Sequence, residues 1–241
     1  MKKFIYIVII CALVVGGIVL IKKNKKPIVA GPTNHLYGNT AASVKLVEYG
    51  DFQCPGCGGF FPLLKELKER YKDDISFQFV NFPLTQLHQN AQAAHRAAQA
   101  ASNQNKFWEM HDLLYTNQNN WKDSTNAPKD FEAFATQLSL DMTKYRKDFA
   151  SAETNAIIAA DIETGQQKKV TGTPTFFLVG KQIESNNDIS TVEKFSKVLD
   201  AEILAKTGKA SKASLLPTVK TTETPTAPST QSTQGSTPAQ Q

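Results

Sequence analysis

Two cysteines, Cys54 and Cys57, lie two residues apart in the segment 49–62, between a predicted strand and a predicted helix. Such a pair serves in metal sites, structural disulfides and redox centres. A tetrahedral zinc site needs about four ligands, but the chain offers no second cysteine pair and its four histidines lack ligand spacing. A disulfide across so short a loop removes little chain entropy. The pattern therefore favours a redox dithiol and no metal site.

The first cysteine is predicted to lie at the N-terminus of a helix that begins with Pro55, a residue tolerated in the first turn of a helix. Unpaired N–H groups and the helix dipole stabilise a thiolate there, and such sites lower a cysteine pKa from about 8.5 to about 3.5–7.5. A second thiol one turn further can attack a mixed disulfide at the first. We therefore expect Cys54 to be the nucleophile and Cys57 the resolving thiol, with their redox-active disulfide and no separate cofactor.

The elements that must position this pair alternate along the chain. The predicted order is a strand at 44–49, a helix at 55–71, a strand at 75–80, a helical block at 86–169, strands at 175–179 and 182–183, and a helix at 192–204. This order predicts an α/β fold, in which a four-stranded mixed sheet carries helices on both faces and a helical insertion occupies about residues 86–169.

Two motifs resemble those of a known family. Residues 47–57 resemble the active-site segment of DsbA-like thiol:disulfide oxidoreductases of the thioredoxin superfamily, and residues 171–177 resemble their cis-proline loop. Residues 90–111, in the helical insertion, are also similar to the family. The resemblance covers about residues 40–206 and implies a thioredoxin-like fold and disulfide formation or exchange in client proteins.

The resemblance assigns roles to three more residues. Pro174 matches the cis-proline that packs beside the thiols, and Thr173 precedes it, where the family's backbone pairs with an extended substrate. Glu48 matches the family's buried acid, which helps move protons to and from the resolving thiol. The alternative for Glu48 is an acid at a strand end that reaches water.

The residues around the first thiol complete the predicted site. Pro55 and Gly56 form the active-site loop, whereas the strongest oxidants of the family often carry a histidine between their cysteines. Without a side-chain cation there, we expect a milder oxidant. Phe52 and Gln53, directly before Cys54, are expected to line the substrate surface.

The N-terminal region predicts a membrane anchor. Residues 4–21 form a run of eighteen residues without a charge, bracketed by lysines. As a helix the run is about 27 Å long, close to the hydrocarbon thickness of a bilayer. The alternative is a cleaved signal peptide. We assign residues 1–26 to a transmembrane anchor, 27–39 to a linker, 40–206 to the thioredoxin-like domain and 207–241 to a disordered tail rich in Thr, Pro, Ser and Gln.

The distribution of charge argues against a nucleic-acid partner and does not settle on which side of the membrane the domain lies. The net charge of +5 arises from six lysines within the anchor region, and the rest of the chain is close to balance, so no nucleic-acid partner is expected. Counting positive charge would keep the domain in the cytoplasm, whereas disulfide chemistry favours the opposite side.

The sequence thus predicts a single-pass membrane protein whose domain acts outside the cytoplasm on cysteine-containing proteins. The resemblance implies that a quinone-linked membrane partner could reoxidise it. The alternatives are a disulfide reductase or isomerase, a reductant facing the cytoplasm, and a non-catalytic module that binds a metal or a client.

Overall fold

The computed structural model describes residues 30–184 and 186–213. The predicted anchor over residues 1–26 and the chain from residue 214 onward lie outside these ranges. Within the ranges, no helix combines the length and the apolar character needed to cross a bilayer.

The strands of the described region form one mixed sheet in the order β1-β3-β2-β4-β5. Their bounds are His35–Gly38, Lys45–Gly50, Ser76–Asn81, Thr175–Leu178 and Lys181–Gln182 for β1 to β5. Strands β2 and β3 are parallel, whereas the β1–β3, β2–β4 and β4–β5 pairs are antiparallel. A parallel pair needs a crossover connection, and helix α1 (Pro55–Tyr71) provides it between β2 and β3.

Helices cover the sheet and build the insertion. After α1 come α2 (Ala91–Ser102), α3 (Phe107–Thr116), α4 (Gln118–Trp121), α5 (Ala127–Gln137), α6 (Met142–Phe149) and α7 (Ala152–Gln167), then a short 3-10 helix (Asn186–Ile189) and α8 (Val192–Thr207). Helices α2 to α7 form the predicted insertion, and the α/β class with a mixed sheet is confirmed.

Helix α1 contributes to two hydrophobic cores. On one side Leu64 and Leu67 pack with Phe176 of β4 and with Phe195 and Leu199 of α8. Burying a side chain of this size stabilises the fold by about 1.5–3 kcal/mol. On its other side, the first turns of α1 pack against α3 and the rest of the insertion. The N-terminus of α1 is therefore fixed between the sheet domain and the insertion.

The prediction of four strands is wrong, because residues 35–38, placed in the linker, form the edge strand β1. Contacts from the insertion hold this strand: the ring of Phe107 stacks on His35 at 3.5 Å between centroids, and Nε1 of Trp108 donates to the carbonyl oxygen of Leu36 at 2.8 Å. The four residues carry no clear alternation of their own. Packed structure also extends beyond residue 206, since Ala213 is buried and its N–H donates to Asp74.

Candidate active site

The two thiols occupy the junction between β2 and α1. Strand β2 ends at Gly50, where an added Cβ would overlap the ring of Phe79. A glycine at this position therefore lets the backbone lie against that ring. A turn then brings Cys54 to the N-cap of α1 in an extended conformation, and its carbonyl oxygen accepts the N–H of Gly58 at 3.1 Å. Both cysteines are reduced, with no disulfide between them.

The environment of Cys54 favours its thiolate. A hydrogen bond from the Cys57 thiol lowers the pKa of Cys54 most, and burial raises it. Hydrogen bonds from Thr173 and from the backbone N–H groups of Cys57 and Gly56 lower it further. Together they lower the pKa of Cys54 to about 5. At neutral pH this sulfur is therefore mostly the anion, which is the reactive form.

The second thiol has the opposite properties. Cys57 is fully buried, whereas Cys54 keeps 8% of its surface exposed. Burial, and after it the hydrogen bond to Cys54, raises the pKa of Cys57 well above its usual range. Cys57 therefore retains its proton until a neighbouring base removes it. One thiol is accessible and ionised, and its partner is enclosed and protonated.

The predicted proline loop faces the thiols. The Thr173–Pro174 peptide bond is cis, and a Cβ added to Gly56 would lie 3.2 Å from Cδ of Pro174. The thiol of Cys54 donates to the carbonyl oxygen of Thr173 at 3.2 Å. The Oγ1 atom of Thr173 is buried and finds no hydrogen-bond partner among the residues described. This hydroxyl can therefore donate to the Cys54 thiolate.

Glu48 lies on β2 beneath the thiols. Its Oε1 atom is buried and has no hydrogen-bond partner within the described part of the chain, while the residue as a whole is partly exposed. Burial raises the pKa of Glu48 to about 8, opposed by the charge of Lys68 and reinforced by that of Cys54. A carboxyl group with a pKa near neutrality can both accept and release a proton.

The expectation that Phe52 and Gln53 line the substrate surface is wrong. Phe52 is fully buried, and its ring stacks on Phe79 with 5.0 Å between centroids. Gln53 is 7% exposed; its Nε2 donates to the carbonyl oxygen of Lys122 at 2.6 Å and its Oε1 accepts the N–H of Asn90 at 2.7 Å. Both residues join the active-site turn to the insertion, because the turn points their side chains inward.

Sequence reasoning missed Asp51, a buried acid beside the resolving thiol. Its N–H donates to Sγ of Cys57 at 3.5 Å, and its carboxylate pairs with His88 at 2.7 Å. Burial opposes ionisation, but interactions with His95, His88 and the N–H of Leu84 outweigh it and lower the pKa of Asp51 to about 2. Its carboxylate also accepts the N–H of the residue two positions later. An aspartate that begins a turn directly after a strand was the available signal.

Sequence reasoning also missed Gln118, on helix α4 of the insertion. Its Nε2 donates to the carbonyl oxygens of Phe52 at 2.8 Å and Cys54 at 2.9 Å. A Cβ on Gly58 would overlap the Gln118 amide, so this glycine allows the amide to reach the first turn of α1. The contact spans more than sixty positions of sequence, and no local pattern could reveal it.

A mixed sheet whose central parallel strand leads through a dithiol into a helix, opposite a cis-proline loop, defines a thioredoxin-like fold with a redox site. A sequence model of the family described as Thioredoxin matches residues 30–201. The chain belongs to this family.

The comparisons with individual proteins agree. The chain is 29% identical over 205 residues to a probable disulfide bond formation protein D of Bacillus anthracis, which covers 79% of this chain and 89% of that protein. The crystal structure of oxidised BdbD from Bacillus subtilis matches with a TM-score of 0.62 at 20% identity, over 74% of this chain and 99% of that one. The structure of alpha-DsbA1 from Wolbachia pipientis matches with the same TM-score at 18% identity, over 74% and 96% of the two chains.

Part of a larger protein is also similar. A Na(+)/H(+) antiporter NhaA 1 of Salinispora arenicola is 37% identical over 159 residues, which are 66% of this chain and 24% of the antiporter. The chain therefore spans about a quarter of the length of that relative. The predicted resemblance to DsbA-like thiol:disulfide oxidoreductases is confirmed at the level of family and fold.

Proposed function

We propose that the protein catalyses disulfide formation or exchange in cysteine-containing client proteins through Cys54 and Cys57. The observation that carries this proposal is the difference between the two thiols. The pKa of Cys54 is lowered to about 5 and that of Cys57 is raised well above its usual range. A dithiol with one partly accessible anion and one enclosed thiol can form and resolve mixed disulfides.

In the oxidising direction, a client thiolate attacks Sγ of Cys54 in the Cys54–Cys57 disulfide. The bond between the two enzyme sulfurs breaks, a mixed disulfide forms, and Cys57 leaves as a thiolate that takes a proton from Glu48. A second client thiolate then attacks the client sulfur of the mixed disulfide and releases Cys54 as a thiolate. The client has lost two electrons and the enzyme holds them as a dithiol.

The low pKa of Cys54 supports this direction. A stable thiolate is a good leaving group, and its stabilisation favours the reduced enzyme, which makes the disulfide form a stronger oxidant. Hydrogen bonds replace the missing side-chain cation between the cysteines. Thr173 contributes as well, since its carbonyl oxygen lies beside the reactive sulfur and offers an edge to which an extended client segment can pair.

The proposed setting is a membrane surface outside the cytoplasm, with residues 1–26 as a single-pass anchor. The uncharged run at residues 4–21 supports an anchor, and disulfides persist in oxidising compartments. A quinone-linked membrane partner would return the dithiol to the disulfide. Labelling of intact cells with a membrane-impermeant thiol reagent tests the side, because a reduced Cys54 outside the cytoplasm reacts and one inside is protected.

The redox potential of the purified protein tests the direction of electron flow. We expect a value above that of thioredoxin, about −270 mV, and towards that of DsbA, about −120 mV. Oxidised protein should then convert a reduced two-cysteine peptide to its disulfide. A potential at or below that of thioredoxin would instead assign the protein as a reductase. A non-catalytic binding module would show no exchange in the unmodified protein and would keep its binding function in Cys54→Ser.

A further inference from the structure

The N-terminal segment enters the domain at the end of the sheet that carries the thiols. Strand β1 is antiparallel to β3, and its first residue, His35, pairs with Phe79. Strand β2 is parallel to β3, and both end where Gly50 pairs with Asn81. Thr33 precedes His35 by two residues and so lies level with this end of β2, from which the chain continues into the active-site turn. Because β3 separates β1 from β2, the entry point is about 10 Å from β2.

A buried carboxyl group fixes this entry point. The N–H and the hydroxyl of Thr33 both donate to Asp161 of α7 at 2.6 Å. The same carboxyl group accepts the N–H of Asn81 at 3.1 Å and its side-chain amide at 2.6 Å. Asp161 is fully buried, so these four hydrogen bonds are shielded from water. One side chain therefore joins the entry point of the chain to the end of β3.

The residue contacts change sharply at this point of the sequence. Gly31 and Pro32 are exposed. Thr33 and His35 are buried, and Nε2 of His35 lies 3.2 Å from Oε1 of Gln99 on α2. The boundary between a connecting segment and the folded domain therefore lies between Pro32 and Thr33.

The C-terminal segment leaves the sheet at the opposite end. The N–H of Ala213 donates to the carboxylate of Asp74 at 3.1 Å. Asp74 lies just before β3, whose first residue, Ser76, pairs with Lys45 at the start of β2. The first and the last residues of the described domain thus lie at opposite ends of the sheet. Only the first are near the active-site turn.

Residues 27–32, the tether, connect the proposed anchor to Thr33. From Lys26 to Thr33 the chain advances by seven residues, which span at most about 25 Å when fully extended. A domain of this size is about 40 Å across. The tether is therefore shorter than the domain is wide. With residues 1–26 in a membrane, it keeps the active-site end of the sheet closer to the bilayer than the opposite end.

We propose that the tether holds the active-site end of the domain towards the bilayer, and that the clients of Cys54 are cysteines close to the surface of the same membrane, on proteins anchored in it. This inference rests on the proposed function and on the proposed anchor, and it adds an orientation and a substrate class. The chemistry is unchanged: the client dithiol loses two electrons and two protons, and the Cys54–Cys57 disulfide gains them. Confinement to one membrane raises the effective concentration of such clients.

The first test measures the orientation of the full-length protein in lipid vesicles by energy transfer to acceptor-labelled lipid headgroups. One label is placed on Cys54 in a Cys57→Ser variant. The other is placed at Asp73→Cys, an exposed position at the opposite end of the sheet, in a variant without the two active-site thiols. Cys11→Ala removes the remaining thiol from both, and a membrane-impermeant reagent labels only domains outside the vesicle.

The label on Cys54 should transfer energy about twofold more efficiently than the label at Asp73→Cys, because the two ends of the domain are about 40 Å apart. This result is independent of catalysis. Equal transfer from the two labels, or more transfer from the label at Asp73→Cys, overturns the inference.

The second test measures which clients are oxidised. Oxidised protein in vesicles meets a reduced two-cysteine peptide that is carried on a lipid through a spacer of seven residues, which reaches at most about 25 Å from the bilayer. We expect this peptide to be oxidised at least as fast as one on a spacer of about forty residues. A rate with the short spacer about tenfold below that with the long spacer would place the active site beyond its reach and contradict the inference.

A longer tether provides the variant for both tests. Thirty Gly and Ser residues inserted between Lys26 and Pro27 give a flexible connection with an r.m.s. length of about 33 Å, which lets the domain turn. The difference between the two labels should then disappear, and oxidation of the short-spacer peptide should slow about three- to tenfold. The same insertion between residues 224 and 225 of the tail is the matched control and should change neither. Equal effects of the two insertions would refute a role for the tether.

A soluble two-cysteine peptide separates this inference from the proposed function. It should be oxidised at the same rate by the unmodified protein and by both insertion variants, since the thiols are untouched. If the unmodified protein does not oxidise it, the proposed function fails. If oxidation is normal but the label at Asp73→Cys lies nearer the bilayer, the orientation alone is wrong. A protein that does not float with the vesicles also overturns the inference, because residues 1–26 then provide no anchor.

Discussion

The Sγ atom of Cys54 lies 3.2 Å from the carbonyl oxygen of Thr173, across the loop that carries Pro174. The same residue offers a buried hydroxyl that has no partner elsewhere in the described chain. Thr173 can therefore accept from the thiol through its backbone and donate to the thiolate through its side chain. A residue far from the cysteines in sequence thus influences the balance between the two forms.

Thr173→Val should raise the pKa of Cys54. The change removes a hydroxyl that can donate to the thiolate, and a hydrogen bond to a charged group is worth about 1.5–3 kcal/mol, or about one to two pKa units. Ultraviolet absorbance of the thiolate as a function of pH measures the shift. Thr175→Val is the control in the same loop, because the Thr175 hydroxyl donates to the carbonyl oxygen of Gly172 instead. An equal shift in both variants would show a general loosening of the loop.

Cys57→Ser should accumulate a mixed disulfide with a client peptide. Cys54 remains the accessible nucleophile, with 8% of its surface exposed, but the thiol that resolves the adduct is gone, so the complex persists until reductant is added. Cys54→Ser should form no adduct, since Cys57 is fully buried and its pKa is raised well above its usual range. Mass spectrometry under non-reducing conditions measures both. An adduct on Cys57 in the second variant would reverse the assigned roles.

Much of this site followed from short motifs. Cys54 and Cys57 stand in a local pattern that predicts the strand, the helix and the helix N-terminus, whereas the position of Pro174 opposite the thiols was implied by the resemblance to the family. The strand–helix order likewise gave the α/β class. These features depend on residues close together in the chain, where periodicity and turn chemistry carry the information.

The rest depends on contacts between distant segments. Phe52 precedes the nucleophile by two positions, yet its ring points into the core formed with Phe79, because neighbouring residues of a turn need not face the same side. Strand β1 pairs with β3 and is held by Trp108 of the insertion, although its own four residues predict little. The hydrogen bonds from Gln118 to the active-site turn also join segments far apart in the sequence. Such long-range packing overrides the local conformational preference of a segment.

Gln118→Leu should destabilise the protein and loosen the start of α1. The change leaves the carbonyl oxygens of Phe52 and Cys54 without the amide donor, and a buried polar group deprived of its partner costs about 1–3 kcal/mol. The carbonyl of Cys54 keeps its bond from Gly58, so the total should lie towards the lower end. Urea unfolding followed by circular dichroism measures the loss.

Gln104→Leu is the matched control for this prediction. The side-chain amide of Gln104 also makes two hydrogen bonds to backbone groups, in this case the carbonyl oxygen and the N–H of Asp141, but these bonds are exposed to solvent. Water can replace those bonds, so the cost should stay within about 0.5 kcal/mol. Equal losses in the two glutamine variants would show that the active-site turn does not depend on the insertion.

Stability should fall as the pH drops from about 6.5 towards 4, because two buried histidines must stay neutral. Burial is the main cause that lowers the pKa of His35 to about 3 and that of His111 to about 4. In the unfolded chain they titrate near 6.5. Between these values the unfolded state binds more protons, so acid favours unfolding by a few kcal/mol in total, and the contribution is complete above pH 6.5.

Glu48 acts in the opposite sense, which gives the prediction an internal control. Its folded pKa of about 8 lies above its usual value near 4.5, so the folded state binds the extra proton and gains stability as the pH falls from 8 to 4.5. Denaturant midpoints across this range should therefore show a steeper acid loss in Glu48→Gln than in the unmodified protein. His35→Gln should show a shallower loss. Parallel pH profiles for all three proteins would mean that these buried groups keep their ordinary pKa values in the folded state.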